Sequence, residues 1–104
     1  MDMQWQDPGL ERTHLHAAAA ERAYGPLAAR ALSLRLQHIR VAETLSELEL
    51  LACRCTPTGR PPGHIVILLD DELELLLNPK TAQGDWTNAN AVTIVAVRQI
   101  GEAA

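Results

Sequence analysis

The hydrophobic period of this chain changes once, near Cys53, and that change decides its fold class. Before it, apolar residues recur at helical spacing; after it come short β-branched runs separated by turn residues. Asp7-Pro8 opens the helical half as an N-cap and first-turn pair, since the carboxylate accepts from orphan N–H groups and Pro loses no bond there. Leu10 through Tyr24 is rich in Ala, Glu, Arg and Leu, all good helix formers. Gly25-Pro26 punctuates it, because Gly tolerates the left-handed position after a helix and Pro can open the next one. In that next helix Ala28, Leu32, Leu36 and Ile39 form an apolar stripe. The pattern predicts an αα-hairpin with helices near residues 8–24 and 26–42. Thr44-Leu-Ser-Glu47 is a capping box that opens a short helix to about Leu50.

Thr56 to Gly63 holds three prolines and two glycines in eight residues and reads as a loop. Strands are expected at His64–Leu69 and Leu73–Leu77, joined across Asp70-Asp71-Glu72, and at Ala91–Val97. Residues 78–90 read as a polar loop, and Met3 to Gln6 as a short first strand. Helices followed by a strand meander mean α+β: a helical hairpin on one face of a mostly antiparallel sheet. The 104 residues suit one domain with one core.

Charge is unevenly placed. Residues 1–60 balance seven arginines against seven acids, whereas residues 61–104 set Lys80 and Arg98 against Asp70, Asp71, Glu72, Glu74, Asp85 and Glu102. The net charge of −4 therefore lies in the second half, which lacks the cations a nucleic-acid grip requires. The longest apolar run, Ile65–Leu69, is far short of the ~20 residues of a membrane span. The acidic MDMQWQD opening is no secretory leader, and two cysteines make no disulfide framework. A reduced, cytoplasmic domain is expected.

The order of segments resembles the HigB-like branch of the RelE/ParE toxins, the plasmid maintenance system killer proteins. The resemblance lies in Glu21-Arg-Ala-Tyr-Gly25 leading into Leu27 to Leu36, then Ala42-Glu-Thr-Leu-Ser-Glu-Leu48 and Arg54-Cys55. It continues through Gly63 to Pro79 with Asp70 at a hairpin, Asp85-Trp86, and the last strand Ala91–Val97. It covers nearly the whole chain in register. The resemblance implies a βααβββ fold and ribosome-dependent mRNA cleavage, silenced by an acidic, often helix-turn-helix antitoxin. It implies no metal and no cofactor: basic side chains on the concave sheet face hold the phosphates during attack by a 2′-hydroxyl.

The chain departs from the family where that chemistry would sit. Thr56, Pro57 and Thr58 stand where active members have a His and a Lys; Glu74 stands where they have an Arg. Gln99, Ile100 and Gly101 replace an Asp-Tyr-His-like tail. The remaining catalytic candidates are Arg54, Arg60 and His64. Two functions follow as alternatives. One is a toxin-like component of a type II toxin–antitoxin system with weak or no catalysis, meeting ribosome and mRNA only if active. The other is a catalytically silent protein-binding module on the same scaffold.

Other motifs read blandly. Cys53-x-Cys55 lacks zinc-site spacing and is expected as a buried pair on one strand face. His14 and His16, two apart on a helix, point about 160° apart and cannot chelate together. Asp70 to Glu74 lacks the alternating oxygens and central Gly of a calcium loop and reads as a solvated turn. The arginines at 22, 30, 35 and 40 suit carboxylates of a protein partner better than nucleic acid. Leu27, Ala31, Leu34 and Val41 lie off the helix's core stripe. Either they bind a partner or a second copy, or the helix at 44–50 and the N-terminal segment cover them.

Overall fold

A computed structural model describes residues 1–51, 54–58, 63–70, 73–80 and 85–100. Its elements run β1 (Asp2–Trp5), α1 (Pro8–Leu15), α2 (Ala17–Tyr24), α3 (Pro26–Val41), α4 (Leu45–Leu51), β2 (Cys55–Pro57), β3 (Ile65–Leu68), β4 (Leu73–Lys80) and β5 (Ala91–Gln99). The fold is α+β, with a five-stranded sheet in the order β1-β5-β4-β3-β2. Three strand pairs are antiparallel, while β1 lies parallel to β5, so the sheet is mixed. Among the described residues no helix is long and apolar enough to cross a membrane.

The stripe Ala28, Leu32, Leu36 and Ile39 is buried throughout, and Leu45 and Leu48 of α4 extend it. Leu32, Leu36, Ile39, Leu45 and Leu48 close on Ile65 and Ile67 of β3, Leu75 and Leu77 of β4, and Val92 and Ile94 of β5. Strand residues alternate between faces, so these six mark the inner face. The capping box forms, with Glu47 N donating to Thr44 Oγ1 at 3.2 Å. Gly25 joins α2 to α3 at φ 87°, ψ 160°, a region only glycine occupies without strain.

Three expectations need correction. The helix expected over 8–24 is two helices, broken at His16, whose backbone is extended (φ −110°, ψ 111°). The cause lies in His14, which stacks between Trp5 and Tyr24 with ring centroids 5.2 and 5.3 Å away. A straight helix would carry residue 24 about 15 Å along its axis from residue 14, so the chain must fold back between them. Second, Asn78, Pro79 and Lys80, expected in the polar loop, belong to β4, which continues alongside β5 with Pro79 opposite Val92. Pairing between β3 and β4 ends at Ile65 and Leu77, so the side of Pro79 lacking an N–H has no ladder to complete. Trp86–Asn88 adds a 3-10 turn capped by Asp85, whose Oδ1 accepts from Thr87 N at 3.0 Å. The Thr87 hydroxyl, donating to the same oxygen at 2.7 Å, and the Thr87 amide together hold the exposed Asp85 carboxyl below the usual carboxylate range. Third, Thr56 and Pro57 belong to β2, an edge strand where Pro is tolerated, rather than to the loop.

Candidate functional site

The sheet face turned away from the core carries Thr56 and Glu74, two of the positions singled out in the sequence. Cross-strand register orders it in rows. At one end Leu68 pairs with Glu74, and Glu74 with Arg98. The middle row is Thr56, Val66, Leu76 and Ala96. Leu76 is only 4% exposed yet outside the core cluster, as a side chain enclosed by its own sheet neighbours would be. Between Leu76 and Leu77 the register slips, leaving Val95 as the extra residue on β5. At the far end Asn78 pairs with Thr93, and Thr93 with Gln4, whose Oε1 accepts from Lys80 Nζ at 2.8 Å.

Glu74 is not a bare anion on this face. Arg98 Nε donates to Glu74 Oε1 at 2.8 Å, and the two side chains are 16% and 14% exposed. This cross-strand pair is neutral as a unit. Arg98 also borders a cleft of about 260 Å³ with Tyr24, Asp70 and Gln99. Sequence reasoning counted Arg98 only as charge. The sole signal available was that it is one of two cations in the second half, on an outward-facing strand position.

The candidates Arg54 and His64 are not brought together. Arg54 is exposed and immediately precedes Cys55, which pairs with Ile67; His64 precedes Ile65 and lies opposite Thr58, whose N–H donates to His64 O at 2.9 Å. They occupy opposite ends of the β2–β3 ladder, about 13 Å apart along the strand at 3.3 Å per residue. Arg60 and Cys53 lie outside the described residues, and Cys55 is buried. Asp71 and Glu72 of the expected hairpin connection also lie outside them, while Asp70 Oδ1 accepts from Leu73 N at 2.7 Å. Among the described residues no three His, Cys, Asp or Glu side chains cluster as a metal site would require.

The other chemically notable cluster is the Trp5–His14–Tyr24 stack, which the sequence reading missed. His14 Nδ1 lies 2.6 Å from Leu10 O, and a carbonyl only accepts, so this nitrogen carries the proton. Nε2 then accepts from the Tyr24 hydroxyl at 2.8 Å. Burial pushes the His14 pKa down and the Tyr24 pKa up. A lowered folded pKa means that the unfolded chain binds the proton more tightly. The stack's contribution is therefore complete above the ordinary value of 6.5 and is lost as pH falls below it. Urea unfolding at pH 7.5 and 5.5 should show lower stability at 5.5, with the difference reduced in His14→Gln. An unchanged pH dependence in that variant would assign the effect elsewhere.

No protein-family model, curated protein or solved structure matches this chain. The functional reading therefore rests on the residues themselves.

Proposed function

We propose that this chain is a cytoplasmic toxin-like component of the RelE/HigB type in which protein binding, not RNA cleavage, carries the function. The observation that carries the reading is the Glu74–Arg98 pair. It occupies the sheet position where the resemblance calls for a phosphate-binding Arg. A phosphate approaching there meets a neutral, mutually satisfied pair rather than a cation. Losing one preorganised donor to a developing charge costs about a hundred- to a thousand-fold in rate, and a carboxylate in its place adds repulsion. The succession of a strand, a helical hairpin and C-terminal strands, with the first strand beside the last, supports the scaffold part of the reading. A partner resembling an antitoxin is the expected occupant of such a module.

Purified protein added to translating ribosomes should leave the mRNA intact by primer extension, and induced expression should not arrest growth. Cuts at defined codons would make the chain an active ribonuclease and overturn the silent reading. The residues to substitute would then be Arg54, Arg60 and His64. Because Arg54 and His64 lie at opposite ends of a ladder, they would not act on one phosphate together, and substituting each separately would show which end holds the site.

A further inference from the structure

One face of α3 is built like half of a helix–helix seam. Leu27, Ala31, Leu34, His38 and Val41 follow each other at intervals of four, three, four and three, the spacing that keeps a stripe facing a partner helix. Leu27, Leu34 and Val41 are 80%, 48% and 71% exposed, so neither α4 nor the N-terminal segment covers them. At a rise of 1.5 Å per residue the stripe runs about 21 Å, four turns of a docked helix. Helical geometry places Arg30 on one flank and Arg35 on the other. No Asp or Glu occurs anywhere in α3.

The geometry points to a docking site for an acidic amphipathic helix of a partner protein, a proposal that rests on the protein-binding reading above and names its surface. Apolar side chains of the partner fill the seam, and carboxylates flanking them meet Arg30 and Arg35. Arg presents a planar fork suited to bidentate pairing with a carboxylate. A second copy of this chain fits the seam less well. Laid parallel, it sets Arg30 against Arg35 of the other copy by the usual flank-to-flank pairing; in either orientation its α3 brings no carboxylate.

The test uses the full chain and two synthetic helical peptides with the same leucine seam, one carrying Glu at every flanking position and one Lys. Fluorescence anisotropy should show the Glu peptide binding at least ten-fold tighter than the Lys peptide, and salt should weaken it. Leu27→Glu, at a position exposed enough to leave the fold intact by circular dichroism, should weaken binding ten-fold or more. Arg30→Glu should narrow or reverse the preference between peptides. Equal binding of both peptides, or binding of neither, overturns the proposal. So does sedimentation of the chain alone as a dimer that Leu27→Glu dissociates, which makes a second copy the occupant. Failure of the Glu peptide with mRNA left intact removes this surface alone. Cleaved mRNA with the Glu peptide still bound removes the silent reading alone.

Discussion

Replacing Leu77 with alanine is expected to lower the free energy of unfolding by about 2–5 kcal/mol, the range for buried Leu truncations. Leu77 is fully buried and joins three strands, pairing with Ile65 of β3 and Ile94 of β5. It also follows the register slip at Leu76, where β5 spends an extra residue, so the local backbone is already committed and cannot easily collapse into the gap. A chain of 104 residues has about 5–15 kcal/mol of stability in all, so this one truncation removes a large part of it. Urea unfolding should show a lower midpoint at an unchanged slope. Leu68→Ala is the control. Leu68 is 55% exposed on the opposite face, and its truncation should cost well under half as much. Equal losses for the two would mean that the helices do not define the packed face of the sheet.

The same alternation explains what was legible in the sequence. Helical spacing alone picked Ala28, Leu32, Leu36 and Ile39, and all four are buried, because a 3.6-residue period leaves a single stripe that can face one sheet. The β-branched run Ile65 to Leu68 and the strand from Ala91 were equally visible. What failed were features set by partners distant in the chain. Ala17 to Ala20 is a strong helix-forming run, and nothing in it announces the break at His16. That break exists because Trp5 and Tyr24 approach His14 from two other elements. Asn78 and Pro79 read as the start of a polar loop, and Pro is indeed excluded from a central ladder, yet β3 has already ended beside Pro79. The candidate site failed for a related reason. Glu74 was legible as a lost cation, but its neutralisation by Arg98, 24 residues later, depends on strand register, which no local pattern specifies.

That ion pair yields the most discriminating measurement on the sheet face. Removing one member leaves a largely desolvated charge without its partner, so Glu74→Ala and Arg98→Ala should each cost about 1.5–3 kcal/mol, the range for hydrogen bonds to charged groups. Replacing both with valine should recover most of the loss. A β-branched cross-strand pair suits a row beside Val66, Leu76 and Ala96, and apolar substitutes for desolvated ion pairs are often neutral. Urea midpoints for the parent chain and these three variants provide the comparison. If the pair also keeps phosphate off this face, Glu74→Gln should release that restraint while keeping the shape of the side chain. Binding of a labelled single-stranded RNA at low salt should then rise several-fold over the parent chain. It should fall away by about 0.2 M salt, because the gain rests on one cation and its displaced counterions. A double-valine variant that is no more stable than the single alanine variants would show that packing in the row, not charge pairing, holds these two strands together. An RNA affinity unchanged in Glu74→Gln would separate the pair's structural role from any part in excluding substrate. Any loss of phosphate chemistry on this face would then rest with the residues around Thr56 and Gln99 rather than with Glu74.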